Sequence, residues 1–334
     1  METNKCQLSI VIPVFNGSNE INICLDSIYS QGMSPEQFEV ICVDDCSSDS
    51  TVEVIEDYAN RMQPGNLKII RHNVNKRQGG GGRNTGIEKA IGTYILFLDH
   101  DDYFKVGSLL QLVRIAEINT GVDIVMFDFE AFTNGIISQK SHYLHNDTKE
   151  MKGREFLQSQ EIPWVPWCYL YRRDFLNEHC LRFEENIRFE DADFVMKCTI
   201  LAQRMFFVPL IVVGHTYSDS QTTAVGNNVG KIIDLFRLSD RIKKIAMEEM
   251  LVDKECSNAI LAHHLFQHKY DIMRYLWRIP FSQMVYILRH YRAYVPNSNK
   301  WLTFSARYPL IFAIVLQLLK PLFPLMRKIY LSSK

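Results

Sequence analysis

Between residues 8 and 99, short apolar β-branched runs alternate with stretches of helical spacing, and carboxylates crowd the ends of two of those runs. Residues 8–15 (LSIVIPVF) read as a strand, and residues 18–30 as a helix with Ile21, Leu25 and Ile28 on one face. Residues 38–43 form a second strand, followed by Asp44-Asp45-Cys46-Ser47-Ser48-Asp49. Ser48 or Asp49 caps a helix running to about Met62. Residues 67–71 are a third strand. A glycine-rich loop, a helix over 84–91 and a fourth strand ending at Asp99 come next. Such alternation predicts an α/β fold, a mostly parallel sheet with helices on both faces. In such sheets ligands bind outside the carboxyl ends of the strands, where both acidic clusters fall.

The second cluster, Asp99-His100-Asp101-Asp102, closes an apolar run that begins at Tyr94. Carboxylates this close repel one another, and burying them unpaired is costly. A hard divalent cation bridging to a diphosphate relieves the repulsion. A solvated, Asp-rich turn is the alternative. Similar pairs of readings attach to the other motifs. Pro13-Val14-Phe15-Asn16 is an ordinary strand exit or one wall of a base pocket. Asp44 to Thr51 is a helix N-terminus favoured by the dipole, a base contact, or both. Gly79-Gly80-Gly81-Gly82 is a flexible loop or a place where backbone approaches a ligand, with Arg83 at a helix start near phosphate. It matches neither G-x-G-x-x-G nor G-x-x-x-x-G-K-[ST], against a dinucleotide oxidoreductase or a P-loop ATPase. Glu190-Asp191 opens a helix to about Gln203, as solvated acids or as a general base at the mouth of a site. His215, after a strand over 206–213 and a glycine, is a surface or core residue or a ligand. Further helix and strand signals cover 106–118 and 123–127, and 128–162 read as edge strands and loop. From about Asn228 the pattern is helical throughout.

Composition bears on the rest. The chain has 334 residues, 47% hydrophobic and 22% charged, which is globular rather than disordered. Its eight cysteines show no C-x-x-C pair, and the N-terminus shows no signal-peptide pattern, so free thiols in a reducing cytoplasm are expected. Net charge is −1 but uneven. Residues 256–334 hold eleven Lys and Arg against one acid, Asp271, a net +10 that leaves −11 on residues 1–255. Residues 301–331 are apolar but broken by Lys320, Pro321 and Pro324. That is too short and interrupted for a membrane span, and it suits a helix lying on an anionic membrane surface. A core helix or a homodimer contact is the other account of it. No nucleic-acid partner is expected.

Taken in order, residues 9–28, 39–51, 79–104, 166–173 and 188–194 resemble the inverting family 2 glycosyltransferases of GT-A fold. The likeness covers roughly residues 8–220. It implies a GT-A domain over 1–225 and a helical C-terminal extension over 226–334. It further implies a nucleotide-sugar donor, usually a UDP-sugar, and a Mg²⁺ or Mn²⁺ cofactor. By the same likeness Pro13, Phe15, Asn16 and Glu20 surround the base and ribose, Asp45 binds uracil, and Arg83 and Asp99 face the ribose and diphosphate. Asp101 is the last acid of D-x-D and holds the cation, with His215 as a further contact. Asp191 is the catalytic base, and Trp167 and Glu190 border the acceptor. The multiple spans and Q-x-x-R-W motif of processive synthases in that family are missing from this sequence. The expectation is therefore one sugar added to a lipid-linked or growing surface glycan at the cytoplasmic face of a membrane. Two rivals stand beside it. A sugar-1-phosphate nucleotidyltransferase needs a glycine-rich Arg motif near the first strand, which PVFNGSNE is not. A silent nucleotide-sugar-binding scaffold fits a chain lacking the base or metal acid, and both are present.

Overall fold

The computed structural model describes residues 6–133, 135–140, 149–159 and 163–217, together with parts of 230–245, 280–291 and 307–319. The chain divides into two compact units, Met1–Ala224 and Val225–Lys334. In the first, β1 (Leu8–Val14), β2 (Phe38–Asp44), β3 (Leu67–Arg71) and β4 (Tyr94–Phe97) are linked by α1 (Ile21–Tyr29), α2 (Thr51–Met62) and α3 (Gly79–Lys89). The two-residue β5 (Tyr103–Phe104) leads to α4 (Ser108–Ile118) and the long β6 (Ile124–Thr133). Then follow β7 (Ile136–Lys140), β8 (Lys149–Met151), α5 (Gly153–Ser159), β9 (Tyr169–Arg172), α6 (Arg173–Glu178), α7 (Glu190–Leu201) and β10 (Met205–Tyr217).

All ten strands share one sheet, ordered β3-β2-β1-β4-β9-β6-β10-β5, with β7 beside β6 and β8 beside β10. Strands β3, β2, β1 and β4 are mutually parallel, as are β6 and β10. Between these two groups β9 runs antiparallel to both β4 and β6. The apolar runs are continuous because both faces are covered: Ile10, Val11, Ile12, Val40, Ile41, Cys42, Ile95, Leu96 and Phe97 are wholly buried. Helix α1 buries Ile21, Cys24, Leu25 and Ile28, the face its spacing marked. Pro209 lies within β10 where its register against β6 shifts, since proline cannot donate to the ladder there.

One expectation fails here. The glycine run is not a loop: Gly79 to Gly82 are the first turn of α3, all at ordinary negative φ. Four glycines are poor helix formers, and what retains them is space. A Cβ on Gly82 would stand 3.0 Å from Pro13 Cβ, and one on Gly80 would stand 3.0 Å from Phe183 Cβ and 3.1 Å from Glu190 Cγ. The helix is seated so close to the end of β1 and to the segment before α7 that a side chain at Gly80 or Gly82 would have to displace its neighbours.

Strand β10 also runs past its expected end, taking His215 into the sheet opposite Ala131 of β6. In the second unit, α8 (Phe281–Tyr291) packs against α9 (Pro309–Leu319). Among the described residues no helix is long and apolar enough to cross a membrane. The seven described cysteines are all free thiols.

Candidate active site

The carboxyl ends of β1, β2 and β4 and the N-termini of α3 and α7 converge, and the pivot of the convergence is Arg83. Its side chain is only 5% exposed. Nη2 donates to Asp99 Oδ1 at 2.7 Å and Nη1 donates to Asp191 Oδ1 at 2.7 Å. The guanidinium carbon lies 5.4 Å from the centroid of the Phe183 ring, which stacks on Phe194 at 3.8 Å. Asn84, next in the chain, accepts from Phe183 N at 2.8 Å and donates to Phe183 O at 2.9 Å. Two consecutive residues of α3 thus hold the segment that carries Glu190 and Asp191.

Burial tends to discharge Arg83, but the charges of Asp191 and Asp99 outweigh it and hold the cation firmly protonated. Asp191 is about one-third exposed, and its carboxyl is pushed up to about 6 by burial, which Arg83 opposes and Asp99 reinforces. Glu190, buried and beside the Asp191 charge, is pushed up to about 8. Burial thus raises both carboxyls at the start of α7, with Arg83 opposing the rise, an environment of the kind that acid–base sites use. The left-handed backbone of Phe189, φ 62°, turns both acids onto the start of α7. One donor of Arg83, Nε, is buried without a hydrogen-bond partner among the described residues, which is unusual in a folded interior.

On one flank stand the residues expected around a base and ribose. Phe15 is 42% exposed at the exit of β1. Asn16, at φ 51°, accepts from Ser48 N at 2.9 Å and ties that exit to the loop after β2. Pro13 is buried and forms the seat of α3 rather than an open wall. Glu20 is exposed immediately before α1. Asp45 is buried and already employed, accepting from Lys76 N at 3.0 Å and from His72 Nδ1 at 2.9 Å. It shapes the 72–76 loop.

On the other flank lie Asp101, Asp102 and His215. Asp99 is paired with Arg83 and Asp102 with His215, whereas no side chain among the described residues pairs with Asp101. Burial and the Asp99 charge raise the Asp101 carboxyl, with His100 and His215 opposing them. An anionic oxygen held near an imidazole is a donor set a hard or borderline divalent cation accepts. Among the described residues no group of three or more His, Cys, Asp or Glu side chains surrounds a single point. Asp101 and His215 are thus the two side chains on this side of the site whose chemistry suits such an ion.

The two residues expected on the acceptor side are both buried. Trp167 is buried and stacks on His215 at 5.0 Å and 24°, with its other contact edge-on to Phe129 at 5.0 Å. It supports the imidazole instead of presenting a ring to an acceptor. Glu190 is likewise buried, directed at Gly80. Sequence reasoning missed Asn84, Phe183, His72 and the partnership of Asp102. Only the adjacency of Asn84 to Arg83 offered a signal for any of them.

The description "Glycosyl transferase family 2" belongs to the family model that matches residues 9–180. The poly(ribitol-phosphate) beta-glucosyltransferase of Bacillus spizizenii is 32% identical over 200 residues, 60% of this chain and 30% of that protein. The poly(ribitol-phosphate) beta-N-acetylglucosaminyltransferase TarS of Staphylococcus aureus is 27% identical over 60% of this chain and 33% of its own length. The chain thus spans about a third of each of these relatives. The crystal structure of S. aureus TarS 1-349 in complex with UDP superposes with a TM-score of 0.72 at 22% identity, covering 93% of this chain and 90% of that one. The fold is the expected GT-A arrangement, and by its sequence over residues 9–180 the chain belongs to glycosyl transferase family 2.

Proposed function

We propose that this chain is an inverting glycosyltransferase that moves one sugar from a UDP-sugar to a hydroxyl of a lipid-linked or growing surface glycan. The observation that carries the reading is the Arg83 bridge, which places an anionic Asp191 within one guanidinium of Asp99 at the strand ends. The donor class is supported by TarS, whose structures are titled as complexes with UDP and with UDP-GlcNAc. The acceptor class is supported by the poly(ribitol-phosphate) named for both relatives.

In this reading Asp191 accepts the proton of the acceptor hydroxyl while that oxygen bonds to C1 of the sugar. The bond from C1 to the diphosphate oxygen breaks, and its electron pair leaves with the diphosphate. Attack from the face opposite the leaving group inverts the anomeric centre, and no enzyme nucleophile is required. Arg83 keeps Asp191 ionised and aimed, and its unpartnered Nε is a donor for phosphate oxygen. Phe15 offers the base an exposed ring, and Asp45 a carboxylate. Asp101 and His215 would hold Mg²⁺ or Mn²⁺, which when bound neutralises charge on the departing diphosphate.

Asp191→Asn tests the reading. It should abolish transfer from UDP-sugars, assayed with and without Mn²⁺ and against GDP-sugars, while UDP affinity by calorimetry stays within about twofold, because base loss touches the chemical step alone. Unaltered turnover would remove Asp191 from its role.

A further inference from the structure

We infer that Asp102 is the positioning carboxylate for His215, fixing which imidazole nitrogen meets a divalent cation. This rests on the cation reading of the preceding section. Asp102 is 1% exposed and sits immediately after Asp101. Both of its oxygens lie 2.9 Å from His215 Nδ1, and one also accepts from Thr216 N at 2.9 Å. A carboxylate in that position accepts the Nδ1 proton, so the lone pair resides on Nε2. The ring plane is held from a second direction by the Trp167 stack at 24°. Gly214, just before His215, is crowded by the Tyr103 ring, which pins the strand where the imidazole departs.

A turn that needed only a backbone latch would be served by the Thr216 N–H, without burying a full carboxylate. The arrangement instead has the two protein-side parts of a carboxylate–histidine–metal unit, an orienting acid and a fixed tautomer. The cluster after β4 then divides its acids. Asp99 serves Arg83, Asp101 contributes oxygen to the cation, and Asp102 works through His215 without touching it.

The experiment uses the full chain in the presence of UDP, titrated with Mn²⁺ and read by the EPR signal of free Mn²⁺. Asp102→Asn keeps size and one acceptor oxygen but loses the charge. It should weaken Mn²⁺ binding by roughly 10–100-fold. His215→Ala should do the same, the double variant should lose no more than either single one, and metal-free UDP affinity should hold. Wild-type Mn²⁺ affinity in Asp102→Asn, or losses that multiply in the double variant, would overturn the inference. Should Asp102→Asn not fold, ¹⁵N-histidine NMR of the unsubstituted chain above neutral pH gives the answer. The His215 proton should be on Nδ1, with Nε2 broadened by Mn²⁺, and a proton on Nε2 sinks the idea. Wild-type chain that takes up no Mn²⁺ beside UDP overturns the cation reading together with this one. Uptake that Asp102→Asn leaves unchanged overturns Asp102's role alone.

Discussion

Asp191 is subject to opposing pulls, and the balance sets a pH. Burial and Asp99 favour its neutral form, Arg83 its anion, and the outcome is a carboxyl pushed up to about 6. A base acts only when unprotonated, so activity belongs to the high-pH side of that value. We expect kcat/KM to be level above neutrality and to fall about tenfold per pH unit below roughly pH 6, the free-enzyme profile of one essential base. Arg83→Met removes the pull toward the anion and should move the inflection upward. A rate profile flat between roughly pH 5 and 7 would contradict both statements. Glu190, buried beside the Asp191 charge, is raised in the same direction.

At the scale of elements, α3 is the piece whose placement decides the site, and its glycines are the means. A Cβ on Gly86 would collide with both methyls of Val11, a wholly buried β-branched residue of β1. Alanine gains up to about 1 kcal/mol of helix propensity over glycine, but overpacking a core position costs about 1–3 kcal/mol. Gly86→Ala should therefore lower the unfolding midpoint in a thermal or denaturant melt, and a rise would show that α3 can lift off β1 cheaply. The same element marks where sequence reading succeeds and where it stops. Strands β1 to β3 were legible to within a residue, because continuous apolar runs bounded by turn residues have few other uses. Helix α2 was legible from its start signal, although Asp49 caps Thr51 N at 3.1 Å without being the first residue outside the helix. Gly79 to Gly82 of α3 were misread as loop because propensity is local, while the close neighbours of Gly80 and Gly82 are Phe183 and Pro13. The acids themselves were legible as residues. The pairing of Asp191 with Arg83 and of Asp102 with His215 was not, since these join positions 108 and 113 residues apart.

At the scale of the molecule, the second unit supplies a surface of its own. Helix α9 buries Ala313 and exposes Leu310, Ile311, Ile314 and Leu318 along one side, within a region of net charge +10. An exposed apolar stripe among basic residues suits the interface of an anionic bilayer. The full chain should therefore co-sediment with phosphatidylserine-containing liposomes, less so in high salt, and Leu310→Glu with Ile314→Glu should release it. Binding indifferent to those changes would favour a contact between chains instead. The first unit has a different large-scale property. Its three site-making joins, Asn84 to Phe183, Arg83 to Asp191 and Asp102 to His215, span 99, 108 and 113 residues. Contacts of such separation are reached late, after the entropy of closing long loops has been met. As the polypeptide leaves the ribosome, β1 to β4 are synthesised long before residues 183–217. An unfinished chain thus displays the acids that follow β2 and β4 before Asp191 and His215, which complete these joins, have been made.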